Sequence, residues 1–217
     1  MKPLFIRLLI VCSWVLVQLP AFSQTSSSPQ VTSSEMYGNP YLFRDWSAGT
    51  VKFTSGRIVN QFKLRFDCVR NQLLLQFQGS TFAAESKVQE FVIYTNKKKD
   101  SMLFRKGYPA IGNGTDNTYY HVLLDDKVHL LRLVSKNIIE EKELIASGRL
   151  RGRLEDVEKF YLLKNGVMVL LPQDKEQLLI ALPEQANVLS QFIADNDLRF
   201  KTPADYIQLA KKINELQ

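Results

Sequence analysis

From Tyr41 to Leu171 the chain repeats one pattern, a short apolar run followed by a cluster of turn residues, and that spacing points to an antiparallel meander. Thr50-Val51-Lys52-Phe53 alternates, Ser55-Gly56 turns, and Ile58 to Phe66 alternates again, which places the first hairpin there. Asp67 to Asn71 turns into Leu73 to Phe77, Gly79-Ser80 turns once more, and Val88 to Tyr94 and Met102 to Arg105 supply further strands. Tyr119 to Leu124 and Val128 to Val134 form a hairpin around Asp125-Asp126-Lys127. Phe160 to Leu163 and Val167 to Leu171 flank Asn165-Gly166, a pair that fills both positive-φ positions of a type I′ turn at little strain. A last run, Gln177 to Leu182, is expected to close the sheet.

Two stretches break the pattern. Gly107 to Asn117 holds Pro109 and three glycines and reads as a long loop. Ser135 to Glu158 is dense in charge and fits either a strand flanked by loops or a short helix. The end of the chain is helical: Pro183 suits a first helical position, and Ala186, Leu189, Phe192 and Ile193 share a face. Thr202 with Asp205 three places on resembles a capping box, followed by Tyr206, Ile207, Leu209, Ile213 and Leu216. The expected fold is predominantly antiparallel β, a curled meander or barrel-like sheet of about eight to ten strands, with two short C-terminal helices. Residues 41–182 would form the β domain and 183–217 a helical hairpin packed on it.

The first 23 residues read as an export signal: Lys2 and Arg7 give the charged start, Leu8 to Leu19 the apolar run, and Ala21-Phe22-Ser23 a cleavage site ahead of Gln24. The run is too short to span a bilayer, so no transmembrane anchor is expected after cleavage, and the location is periplasmic or extracellular. Residues 24–40 are rich in Ser, Thr and Gln and read as a flexible leader. Of 28 basic and 22 acidic residues, Lys2 and Arg7 leave with the signal, so the remainder carries a mild +4. That surplus favours solubility, and without a dense basic stripe nucleic acid is not an expected partner. Lys97-Lys98-Lys99 is the one run, read as a solvated turn. Cys12 lies in the signal, behind residues too large for a lipidation site, so Cys68 cannot form an internal disulfide and reads as a structural thiol.

Searches for chemistry return little. Gly112-Asn113-Gly114-Thr115 lacks the lysine and the following helix of a phosphate-binding loop. His121 and His129 lie in one hairpin, with Asp125 and Asp126 between them. An even loop would send the two rings to opposite faces, and only an odd loop would bring them together for a metal. No serine sits in a Gly-x-Ser-x-Gly elbow, and the adjacent acids Asp125-Asp126 and Glu140-Glu141 read as solvated. No catalytic residue, cofactor or metal site is therefore assigned. The aromatic residues offer a better lead: Tyr37, Tyr41, Phe43 and Trp46 cluster before the first clear strand, and Tyr119-Tyr120 open a later one. Tyr41, Phe43, Trp46, Tyr119 and Tyr120 are the candidate ligand or partner contacts, set against the plainer reading that they plug and edge the core.

Tyr41 to Val51, then Ser55-Gly56 and Phe62-Lys63-Leu64-Arg65-Phe66-Asp67, resembles the opening of a family of uncharacterised exported β-rich proteins common in Bacteroidota-type bacteria. Phe91-Val92-Ile93 and the Pro183-to-Leu216 helices are similar too, as is Gln24 after the cleavage site, where it can cyclise to pyroglutamate. The resemblance implies an exported β fold and no assigned activity. The leading expectation is thus a non-catalytic cell-envelope module that binds a partner protein or envelope component. The alternatives are a barrel-like carrier of a small apolar ligand, for which Ala83 and Ala84 are a hint, and a hydrolase using His121 or His129.

Overall fold

The structure, a computed structural model, describes residues 36–84, 87–95, 100–144 and 150–217. The export signal, most of the leader and the Lys97-Lys98-Lys99 run lie outside the described residues. Among the described residues twelve strands build one sheet: β1 (Met36–Tyr37), β2 (Ser47–Phe53), β3 (Ile58–Val59), β4 (Lys63–Asp67), β5 (Gln72–Phe77), β6 (Ser80–Ala83), β7 (Val88–Tyr94), β8 (Ser101–Arg105), β9 (Tyr120–Asp125), β10 (His129–Leu144), β11 (Leu150–Lys164) and β12 (Val167–Leu171). Helices α1 (Lys175–Ala181), α2 (Ala186–Asp195) and α3 (Pro203–Glu215) follow, with a 3-10 turn at Pro183–Gln185. The order is β1-β11-β10-β9-β8-β7-β2-β4-β5-β6, with β12 on β11 and β3 on β2. Every pairing is antiparallel except that of β1 with β11. The sheet curls without closing.

The curl turns on β2. Ser47 and Ala48 pair with β4, whereas Gly49 to Phe53 pair with β7, so one strand serves both halves. Gly49 stands at the change of partner, and a Cβ there would overlap the Val92 carbonyl oxygen and lie 2.5 Å from Leu64 Cδ1. Folded over at this corner, the halves enclose Val51, Leu64, Phe66, Leu73, Leu75, Phe91, Ile93, Phe104 and Tyr119 as an aromatic-rich core. The rings of Phe91 and Phe104 stack 4.9 Å apart, and Phe66 lies 4.9 Å from Phe104. The space a barrel would keep open is filled.

Register places a second core on the same face of the sheet. Val51, Phe91, Phe104, His121, Arg132, Phe160 and Leu171 are successive cross-strand partners from β2 to β12. This row is apolar at both ends and polar in the middle. Beyond Arg132 the three helices cover the sheet, burying Leu178, Leu189, Ile193, Tyr206, Leu209 and Ile213 against Leu130, Phe160 and Leu162. Phe160 and Tyr206 stack at 3.9 Å, and the Val128 N–H donates to Asn214 Oδ1 at 2.9 Å, tying the β9–β10 turn to α3. On the opposite face, Tyr108, Tyr120, Val122, Leu131, Tyr161 and Met168 form a smaller cluster that includes Tyr108 of the 107–117 loop.

Several expectations change in detail. Gln177 to Leu182 is not a strand: Asp174 caps α1 by accepting from Gln177 N, and Leu178 is buried under the helices, so the helical segment begins at Lys175 rather than Pro183. Ser135 to Glu158 lies in the long antiparallel strands β10 and β11, paired from His129 with Leu163 outward. Ile58 to Phe66 breaks into β3 and β4, because the chain leaves one half of the sheet for the other between them. Positive φ falls on Gln78 and Gly79, one residue earlier than Gly79-Ser80, and the turn leads into β6, whose four residues are all exposed. Within 24–40, Met36 and Tyr37 pair with Gly152 and Arg153. Asn165 and Gly166 take φ of 50° and 77°, as the type I′ turn requires. Thr202 and Asp205 form the capping box.

Candidate functional site

The five aromatic candidates do not meet in one place. Tyr41 and Trp46 do meet: both rings face the Arg65 guanidinium, at 4.8 and 4.5 Å from their centroids. Arg65 alternates with Leu64 and Phe66 on β4, so it points away from the aromatic core and the two rings hold it on the outer surface. Phe43 packs instead against the edge of that core. Tyr119 and Tyr120 are neighbours on an extended chain and so face opposite ways. Tyr119 enters the aromatic core, donating its hydroxyl to the Val88 carbonyl at 2.7 Å, and Tyr120 enters the opposite cluster, wedged edge-on between Tyr108 and Tyr161. Burial pushes the Tyr120 hydroxyl up to about 12. These two tyrosines are core residues, and no open platform is formed.

The histidines also separate, by a route that loop parity alone does not give. Asp126 to Val128 is an odd loop, since His129 pairs with Asp125, and alone it would put both rings on one face. A register shift between Leu130 and Leu131 inserts one extra β9 residue, so His121 pairs with Arg132 and the rings project from opposite faces. His121 is buried, stacked on Phe104 at 5.3 Å, with Nδ1 3.0 Å from an Arg132 nitrogen, and Arg132 in turn donates to Glu158. Burial, aided by the Arg132 charge, lowers the imidazole to about 4, so His121 is neutral at physiological pH. Among the described residues no group of three His, Cys, Asp or Glu side chains could hold a metal ion.

The other histidine belongs to a charged chain on the second face. Arg105 Nε donates to Glu90 at 2.6 Å, its terminal nitrogens donate to Asp125 at 2.9 and 3.0 Å, and Asp125 Oδ1 lies 2.7 Å from His129 Nδ1. Hydrogen bonding from Arg105 holds the Asp125 carboxyl below its ordinary range. Burial opposes the Arg105 charge, but its bonds to Asp125 and Glu90 outweigh that and keep the guanidinium firmly protonated. Both acids are thereby committed to the network. Cys68 is buried, with its N–H donating to the Pro40 carbonyl, and burial pushes the thiol up to about 12, so it is not a nucleophile at neutral pH.

Two surfaces that the sequence did not single out remain. Beyond Val134 and Phe160 neither long strand contributes a described residue to any of the three cores, so β10 and β11 continue as an arm of the sheet. On this arm Ile138 and Ile139 are 44% and 37% exposed, and as strand neighbours they present apolar surface on both sides. The second is a groove of about 270 Å³ at the open edge of the helix-covered core. Leu162, Val167 and Val169 of the β11–β12 hairpin form one wall, Leu182 and Pro183 the other, and Ile213 also lines it. Lys164 and Glu184 also line it and pair at 2.9 Å. The exposed isoleucines were hidden in the charge of Ser135–Glu158, and the groove needed α1, which reads as a strand from its apolar run alone.

No family model matches the chain, and neither the curated proteins nor the solved structures contain a match to it. No helix among the described residues is long and apolar enough to cross a membrane.

Proposed function

We propose that the chain is a non-catalytic, exported module of the cell envelope that binds a partner protein through the β10–β11 arm. The observation that carries this reading is the pair Ile138 and Ile139, exposed on adjacent positions of strands that have left the core. Among the described residues only the two of β1 join the long strands there, and apolar side chains on both faces of so narrow a ribbon are better buried by a partner. The non-catalytic part rests on the charged network: Asp125 is spent on Arg105, and its contact with His129 stands in no hydrogen bond to a serine, threonine or cysteine among the described residues. A photo-crosslinking residue at position 138 or 139, introduced in the native cell, is expected to trap one partner, while the same residue at exposed Phe82 traps none. Loss of that crosslink in Ile139→Glu, with unchanged thermal stability, would support the arm. Equal labelling at all three positions, or turnover of an envelope substrate that disappears in His129→Ala, would overturn the proposal.

A second reading, carriage of a small apolar ligand, is favoured by the groove alone. The aromatic core fills the space between the sheet halves, so the ligand would sit at the rim, between the β11–β12 hairpin and Pro183–Gln185.

A further inference from the structure

The groove has one cationic side chain and one anionic one on an otherwise mainly apolar lining, and the two are held differently. Lys164 ends β11, immediately before the Asn165-Gly166 turn, and its side chain is 26% exposed. Glu184 sits in the 3-10 turn Pro183–Gln185, its side chain is 78% exposed, and its carboxylate accepts from Lys164. The lysine is thus built into the wall. The carboxylate is an exposed group resting on it, and a pair of this kind contributes little to stability. Behind the pair the lining is aliphatic: Leu162, Val167, Val169, Leu182, Pro183 and Ile213. Lys164 Nζ therefore marks where a negative charge is wanted, and the volume behind it marks what should follow that charge.

From this arrangement we infer that the groove binds a short aliphatic monocarboxylate, its carboxylate taking the place of Glu184 on Lys164 and its chain lying along Val167, Val169 and Ile213. At about 270 Å³ the groove is just below the usual range for drug-sized ligands, about 300–1,000 Å³, which suits a single short chain rather than a long or branched lipid. Charge complementarity selects the anion over an amine or an alcohol of the same length. This inference rests on the carrier reading and is independent of the arm.

The test is titration of the full chain with sodium octanoate, octanol and octylamine, followed by isothermal calorimetry and by backbone amide shifts of residues 162–169 and 181–185. Octanoate is expected to bind, with shifts confined to those segments. Lys164→Met should weaken it roughly tenfold, because a charged hydrogen bond is lost. Glu184→Gln should tighten it about threefold, because the competing carboxylate is gone. Val167 is 62% exposed, so Val167→Trp should block the groove without unfolding the protein, which circular dichroism checks. Octanol binding as tightly as octanoate, with no effect of Lys164→Met, would overturn the carboxylate inference while leaving the carrier reading standing. Absence of binding by all three compounds would remove both.

Discussion

Gly49→Ala tests the corner on which the two halves of the sheet depend. The new methyl group would overlap the Val92 carbonyl oxygen, part of the ladder, and sit 2.5 Å from Leu64 Cδ1, where real Cβ contacts essentially never fall below 3.0 Å. Leu64 is fully buried, so neither neighbour can withdraw into solvent. Relieving the overlap must part β2 from β7 near Gly49–Ile93 and Thr50–Val92, weakening about two ladder bonds at about 1 kcal/mol each. Strain in the overfilled core adds about 1–3 kcal/mol, and the stiffer unfolded chain returns about 0.4–1 kcal/mol. The net loss is about 2–4 kcal/mol, which in a domain of this size lowers Tm by roughly 5–15 °C. Differential scanning calorimetry measures it directly. Adding Leu64→Ala removes the side-chain contact but not the carbonyl, so the double variant should remain less stable than Leu64→Ala alone by nearly the same margin. A Tm for Gly49→Ala within about 2 °C of wild type, or full rescue by Leu64→Ala, would refute the argument that backbone approach forces glycine there.

Other perturbations read the interior. The folded state holds His121 neutral down to about pH 4 against an ordinary value of 6.5, so stability is full above pH 6.5 and declines as the pH falls towards 4. The decline is about 3 kcal/mol in total, and urea titrations at pH 7 and 4.5 should show most of it in wild type and little in His121→Phe. Phe104→Ala, at the centre of the aromatic core and fully buried, should cost about 3–5 kcal/mol by chemical denaturation. Cys68 should resist iodoacetamide at pH 8 in the native protein and react within minutes once guanidinium unfolds it; rapid native labelling would contradict its burial.

Where burial is one-sided, the sequence announces itself. β7 sets buried Val88, Phe91 and Ile93 against exposed Gln89 and Tyr94, and Asn165-Gly166 marks the β11–β12 turn because only a few residues accept positive φ twice. Where burial is absent, nothing in the pattern speaks. β6 is exposed at all four positions, and Asn137, Ile138 and Ile139 of β10 are exposed in succession, so neither stretch shows a buried face. For α1 the misleading signal is five consecutive apolar residues, Leu178 to Leu182, which make Gln177 to Leu182 read as a strand, whereas Asp174, four places before Leu178, is a legible N-cap. The candidate site was least legible. Tyr41 and Trp46 meet over a cation, Arg65, that arrives from another strand, and the places of Tyr119 and Tyr120 depend on which face each takes. The bulge that parts the histidines leaves no trace in composition.

The unbroken run of β10 and β11 gives the molecule a mechanical character. Cross-strand partners continue from Glu141–Arg151 in the arm to His129–Leu163 in the body, and the same two strands carry Leu130, Phe160 and Leu162 beneath the helices. From Glu141–Arg151 inward the pairing continues without an intervening linker. A load applied along the arm would pass down both strand backbones and meet, in shear, the ladders that β10 makes with β9 and β11 with β12. In a chain built this way the arm and the helix-covered core are parts of one continuous pair of strands.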